Sequence, residues 1–476
     1  MSTAIVWFRR DLRLTDNPAL DAALQAHTRV LPVYIDAPEE EAPWPPGAAS
    51  RWWLHHALQS LDADLRRIGG SLQLCRGASL QVLEHLLAMT NADALYWNRL
   101  YDPATVTRDK QVKQTLQDRG ISVHSYNAAL LCEPWMIATQ QGDPYRVFTP
   151  YWRKLRAGLE PRPPLPPPAR MVTPAVAGGL SLGELGLLPD VAWDVGLRDA
   201  WAPTESGAWQ EAERFIEDAL AGYADQRNLP AIAGTSRLSP YLHFGQISPA
   251  QLAWRFEDLA REISVLRKPA SEAVESYLRE LGWRDFSHHL LFHFPHIAQR
   301  NLNPQFDHFP WKRANAAALR RWQQGQTGIP IVDAGMRELW NTGWMHNRVR
   351  MVVASFLTKN MRQHWLHGAR WFWDTLVDAD LPNNTQGWQW TAGSGADAAP
   401  YFRIFNPVSQ GERFDAEGHY VRRWVPQLAG VEAKWIHKPW RNALLARQLD
   451  YPAPMVDLQV SREEALAAYQ QMRAAI

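Results

Sequence analysis

The run Ala4-Ile-Val-Trp-Phe8 decides how the first quarter of this 476-residue chain is read. Five apolar residues rich in β-branched and aromatic side chains, followed at once by Arg9-Arg10-Asp11, predict a short buried strand rather than a helical turn. The same kind of run returns over residues 30–35, 71–75, 94–97 and 121–126, with helically spaced stretches such as 50–68 between them. Strands alternating with helices predict a parallel, Rossmann-like α/β sheet over residues 1–130. The segment carries no G-x-G-x-x-G fingerprint and no phosphate loop, so no nucleotide is assigned to it by motif.

Beyond the sheet the composition changes. Residues 131–204 are predicted to be an interdomain connector, stiffened by PRPPLPPP at 161–168. From 205 to 476 the apolar spacing is helical, with amphipathic stretches over 271–292, 331–339 and 344–360, which predicts a large all-α domain. An apolar fraction of 46% with 21% charged residues excludes a disordered or fibrous chain. The net charge of +1 excludes a global field for a polyanion, so a charged partner must be met by a local patch. Cys75 and Cys132 are too few for a disulfide framework and point to a reducing compartment. No apolar run reaches the roughly 18 residues of a membrane span, and Arg9 and Arg10 follow the first apolar run, opposite to a signal peptide. A cytoplasmic protein without a membrane partner is expected. Twenty-four tryptophans are more than packing demands, because each brings an indole N–H that must be satisfied.

Several segments could carry chemistry. Gly234-Thr-Ser-Arg-Leu-Ser239, before Pro240, puts hydroxyls, small-residue backbone and a guanidinium at a helix start, a pattern that suits phosphate as well as a plain N-cap. Tyr277, Glu280, Trp283 and Arg284 recur three or four apart, as do Asn347, Arg350 and Met351, so each set shares one helix face. Mixed polar and bulky faces read equally as a pocket wall for a flat, polar-edged ligand or as the boundary between core and surface. Asp378 and Asp380 form a D-x-D pair without the further carboxylates of an oxygen cage, and no metal is expected. His289 and His293 are four apart without an H-E-x-x-H pattern, and read as packed or surface imidazoles. No G-x-S-x-G elbow supports hydrolytic covalent catalysis. Between residues 300 and 350 eight Lys and Arg face three acidic residues, interleaved with aromatics, a composition that suits either a nucleic acid or a solvated basic face.

Together these segments resemble the photolyase/cryptochrome family, and within it the bacterial class I photolyases for cyclobutane pyrimidine dimers. The resemblance covers nearly the whole chain. It rests on Val6-Trp-Phe-Arg-Arg-Asp-Leu-Arg-Leu-Thr-Asp-Asn17, Gly234–Ser239, Thr327-Gly-Ile-Pro-Ile-Val-Asp-Ala-Gly-Met-Arg337, Gly343-Trp-Met-His-Asn-Arg348 and Trp388-Gln-Trp390 through Tyr401-Phe-Arg-Ile-Phe-Asn-Pro407. It implies FAD in the helical domain. Tyr223, Thr235, Ser236, Arg237, Leu238 and Ser239 match the phosphate side, with Tyr277 and Glu280 beside them. Asn347, Arg350, Asp378, Ala379, Asp380 and Asn384 match the surround of the adenine and isoalloxazine, Asn347 facing flavin N5.

The resemblance further implies that ultraviolet-damaged DNA is the partner and that the enzyme is a monomeric carbon–carbon lyase. Trp283 and Trp390 would wall a flipped-out dimer, Glu280 would hydrogen-bond it, Met351 would lie against its bases, and Arg227, Arg284, Arg348 and Arg403 would contact DNA. Trp388, Trp365 and Trp311 match an electron-hopping chain to the flavin. Enzymes for 6-4 photoproducts resemble this chain but carry His at the positions of Asn347 and Met351, so the cyclobutane dimer is expected as substrate. Repair of 6-4 photoproducts and a cryptochrome-type photoreceptor are the alternatives. The resemblance implies an antenna site between the domains, with methenyltetrahydrofolate, a deazaflavin, another flavin or no antenna all open. The folate-binding pair of some relatives falls here on Ala104 and Thr105, and Trp44 takes the place of a folate-contacting His.

Overall fold

The computed structural model describes residues 2–264, 268–398 and 402–474, without the side chains of 262–264 and 268–271. Met1, Ile476 and the motif residue Tyr401 lie outside the described residues, as does the side chain of Ser271.

Five strands, β1 (Thr3–Phe8), β2 (Arg29–Asp36), β3 (Gln73–Arg76), β4 (Ala94–Asn98) and β5 (Ser122–Tyr126), form one parallel sheet in the order β3-β2-β1-β4-β5. The expected runs fall on these strands. Both faces are covered: Ala4, Val6 and Phe8 enter the core shared with the helical domain, whereas Ile5 and Trp7 enter a second core with Leu83 and Leu116. Burial on both faces is why β1 reads as a continuous apolar run. The strand order reverses between β1 and β4, so a crevice opens beyond their carboxyl ends, where Arg10 and Asp102 follow in the chain.

Helix α1 (Ala48–Arg67) buries Trp52 and Trp53 against the helical domain, and the Trp53 indole N–H donates to Gln246 Oε1 at 2.8 Å. Helix α2 (Phe148–Gly158) occupies the connector, while residues 161–168 run without regular structure. The helices that position the site are α3 (Ser239–His243), α4 (Lys268–His293), α5 (Pro330–Thr342), α6 (Asn347–Ser355), α7 (Trp365–Thr375) and α8 (Leu381–Ala392). The stretch 344–360 is not one helix as its spacing suggests. Gly343, at φ 65°, ends α5; His346 then caps α6, its Nδ1 accepting from Arg348 N at 3.2 Å. After Ser355 the ladder widens to an i→i+5 turn over Phe356–Asn360, closed by Met361 N to Phe356 O at 2.9 Å. Among the described residues no helix is long and apolar enough to cross a membrane.

Candidate active site

A cavity of about 530 Å³ opens among α3, α4, α6 and α8. Its wall gathers Tyr223, Thr235 to Ser239, Tyr277, Glu280, Trp283, Arg284, Asn347, Arg350, Met351, Asp378, Ala379, Asp380, Asn384, Trp388 and Trp390, so most of the sequence-selected residues meet at one place. The two mixed helix faces, 70 residues apart in sequence, look into it together.

At its centre the Asp378 carboxylate accepts from Ser239 Oγ at 2.6 Å and from Arg350 Nη2 at 2.8 Å, both on Oδ2. Arg350 Nε donates to Met345 O at 2.7 Å, which fixes the guanidinium. Asp378 Oδ1 is buried with no partner among the described residues, an acceptor available to a ligand N–H or O–H. Asp380 is the N-cap of α8 and accepts from Asn383 N at 3.1 Å and Asn383 Nδ2 at 2.7 Å. Burial alone would raise its pKa, but His288, His243 and Arg284 outweigh burial and hold it well below the ordinary carboxylate range. Asn384 Nδ2 donates to Ala369 O at 3.0 Å. Tyr277 OH donates to Ser236 Oγ at 3.1 Å. The helix following Gly234–Ser239 is only five residues long, and it begins at Ser239 itself. Arg237 adopts φ 54° and turns its guanidinium over Trp201, 4.1 Å from the ring centroid.

The outer part of the cavity is aromatic and charged. Trp283 lies flat on Phe148, ring centroids 3.6 Å apart and 11° between planes. Glu280 Oε1 pairs with Arg227 Nη1 at 2.7 Å. Trp390 stacks on Phe405 at 6.3 Å, and the Arg403 guanidinium lies 5.2 Å from its centroid. Asn347 is exposed to the cavity at the first position of α6, with no side-chain hydrogen bond among the described residues. Arg348 Nη2 donates to Asn228 Oδ1 at 2.7 Å, outside the wall proper. Arg284 lines the cavity and is largely buried, donating to Ala129 O at 2.5 Å and Leu242 O at 3.4 Å.

Trp388 packs edge-to-face on Phe372 at 5.0 Å. Trp365 is fully buried and donates Nε1–H to Asn301 Oδ1 at 3.0 Å. Half-buried Trp311 touches His364 at 5.2 Å, and His364 touches Trp365 at 5.6 Å, so the imidazole bridges the two indoles. His289 Nδ1 and His293 Nε2 both lie 3.1 Å from Pro134 O, as packed imidazoles do. Among the described residues no group of His, Cys, Asp and Glu has the geometry of a metal site. The basic excess over 300–350 forms no single face: Arg350 enters the cavity, Arg337 binds Gly325 O and Gln427, and Lys312 pairs with Glu464.

The sequence reading missed His243 and His288, which flank Asp380, and Phe148, which backs Trp283. No motif marks them. Only their place opposite residues more than 90 positions away makes them part of the site.

A second cavity of about 270 Å³ lies at the β1/β4 crevice. Trp44, Ala104 and Thr105 line it, beside Arg10, Glu41 and Asp102. Arg10 pairs with Asp102 at 2.5 Å and Glu41 at 2.6 Å; burial disfavours its charge, yet the two carboxylates win and hold its pKa above the ordinary value. Trp44 meets Trp373 edge-to-face at 5.5 Å, and its Nε1 is buried without a partner among the described residues. The walls nearly touch: Phe372 and Asp380 line the large cavity, Trp373 and Leu381 the small one.

Comparison with known proteins bears on both cavities. Residues 4–169 match the DNA photolyase family and residues 277–471 the FAD-binding domain of DNA photolyase. The chain is 47% identical over 474 residues to a deoxyribodipyrimidine photo-lyase of Agrobacterium fabrum, covering 98% of this chain and 97% of that protein. It is also 40% identical to cryptochrome-2 of Arabidopsis thaliana, covering 99% of this chain and 79% of that one. A bacterial class III photolyase from Agrobacterium tumefaciens superimposes with a TM-score of 0.94 at 45% identity, covering 100% of this chain and 98% of that chain. The class I subtype that the motifs suggested is not supported, since this similar structure is that of a class III photolyase. FAD fits the large cavity, which offers a buried unpartnered carboxylate oxygen and an arginine beside it. With a full-length relative at 47% identity and matching domains at both ends, the chain belongs to the photolyase/cryptochrome family.

Proposed function

We propose that the protein repairs cyclobutane pyrimidine dimers in DNA under light, as a photolyase of the class III type. The observation that carries this reading is the division of one cavity. Its inner part offers Asp378, Arg350 and Asn347 to a flavin, and its mouth offers two tryptophan faces, a carboxylate and a thioether to a base pair's worth of apolar surface. A dimer must leave the duplex to reach that depth, and flipping costs least where pairing is already damaged. When bound in its reduced form, FAD would supply the electron that splits the cyclobutane ring and would take it back afterwards.

The chain's own residues bind and orient. Trp283, already flat on Phe148, and Trp390, held by Phe405 and Arg403, present rigid walls at little entropic cost. Glu280, paired with Arg227, accepts a hydrogen bond from a base N–H. Asn347 can donate to or accept from flavin N5 through its amide. Arg350 offsets the negative charge of a reduced flavin, with Asp378 holding its guanidinium. Arg227, Arg348 and Arg403 contact phosphates. Trp388, Trp365 and Trp311 carry an electron from the surface when the flavin is oxidised. The second cavity, one residue away at two points of its wall, holds an antenna chromophore.

The test is illumination of the anaerobically photoreduced protein with ultraviolet-damaged oligothymidylate. Recovery of thymine absorbance in the light and not in the dark is expected. No recovery with reduced FAD bound would move the reading to a photoreceptor, which the 40% identity to cryptochrome-2 of Arabidopsis thaliana favours, or to 6-4 lesions.

A further inference from the structure

Lys359 is fully buried, and among the described residues no carboxylate pairs with it. Burying an ammonium without a counter-charge is costly, and a methionine would fill the same volume without that cost. The wide turn over Phe356–Asn360 turns Lys359 inward, where Nζ donates to Ala392 O, the last carbonyl of α8, at 2.5 Å. The same nitrogen sits 3.2 Å from the centroid of the Phe402 ring, and burial holds its pKa well below the ordinary lysine value. A helix C-terminus and an aromatic face are the two neutral groups that attract a cation.

Phe402 opens the short strap 402–405. Its next residue, Arg403, lies over Trp390, and Phe405 stacks on Trp390 while donating N–H to Ser355 Oγ at 3.1 Å. Ser355 at the end of α6 and Lys359 in the wide turn after it stand four apart and grip the strap at its two ends, and Lys359 also grips α8, which carries Trp390. We propose that Lys359 is a positioning residue of the lesion wall, locking the 402–405 strap onto the end of α8 so that Arg403 and Trp390 present one fixed surface to damaged DNA. The inference rests on the cavity mouth being a lesion site.

The experiment uses the full-length FAD-bound protein and two oligothymidylates, one carrying a single cyclobutane dimer and one undamaged. Lys359→Met is expected to keep FAD stoichiometry and affinity for undamaged DNA, and to lose about tenfold in affinity for dimer DNA. Because Lys359 acts through the strap that carries Arg403 and backs Trp390, Lys359→Met with Arg403→Ala is expected to lose less affinity for dimer DNA than the two single losses combined, an outcome that a purely structural lysine would not produce. Parent-like dimer affinity in Lys359→Met, or full additivity in the double variant, overturns the proposal. If Lys359→Met does not fold, Phe402→Leu removes the ring face and is expected to show the same selective loss; unchanged affinity there overturns it equally. A parent that binds both oligonucleotides alike overturns the lesion-site reading itself, and this inference with it.

Discussion

Asp378 is satisfied on one oxygen and unsatisfied on the other, and that asymmetry makes the residue informative. Removing Arg350 strips its strongest donor and leaves a buried carboxylate short of partners, a penalty of about 1–3 kcal/mol, while also removing the positive charge nearest the flavin position. Arg350→Ala is therefore expected to lose more than half its FAD during purification, read as the ratio of flavin to protein absorbance. A ratio equal to the parent's would take the residue out of the flavin site. Trp283 makes a separable case. It faces the mouth, and its stack on Phe148 contributes about 0.5–1.5 kcal/mol of preorganised surface. Trp283→Ala should keep FAD and bind dimer-containing DNA about tenfold more weakly; unchanged binding in a titration would remove it from the lesion wall.

At the scale of elements, the close approach of α7 and α8 sets the position of Trp388. A Cβ on Gly368 would stand 2.0 Å from Trp388 Cη2, inside any allowed contact, so glycine is what lets the indole lie across α7 one turn after Trp365. Overpacking of this kind costs about 1–3 kcal/mol and displaces the ring. Gly368→Ala is expected to slow photoreduction of oxidised FAD severalfold and to lower the unfolding temperature; photoreduction at the parental rate would show that Trp388 does not depend on this contact. This glycine also marks where sequence reading ends. The strands were legible because a run such as 30–35 announces burial by itself, and the faces of Tyr277 to Arg284 and of Asn347 to Met351 were legible because helical spacing groups their side chains. The bond from Arg284 to the Ala129 carbonyl was not legible, since nothing local tells which carbonyl a side chain on that face will meet. Gly368, Phe148 and Lys359 matter only through partners brought close by tertiary packing, and no window of sequence contains both halves of those contacts.

For the whole molecule, the question is whether sheet and helical domain unfold together. Leu12 N donates to Phe244 O at 3.1 Å, Arg13 Nη1 to Gly245 O at 2.7 Å and Trp53 Nε1 to Gln246 Oε1 at 2.8 Å, so the boundary is a bonded interface rather than a hinge. Asp285 of α4 closes its other side. Oδ2 accepts the N–H groups of Leu131 and Cys132 at 2.8 and 3.1 Å, where the sheet passes into the connector. Burial pushes the Asp285 pKa up to about 7, with Arg284 and the two N–H donors pulling against it. The folded protein therefore binds this proton more tightly than the unfolded chain. Between the ordinary aspartate pKa near 4 and a folded value near 7, stability falls as pH rises, then levels off. Asp285→Ala loses the latch at every pH but also loses this slope. Calorimetry of the FAD-bound protein should show one transition for the parent. The variant's deficit in unfolding temperature should be larger at pH 5 than at pH 8 by on the order of 2 °C. A deficit that grows toward pH 8 would mean that the carboxylate gains from its charge, with Arg284, 3.9 Å away, outweighing burial at the centre of the interface.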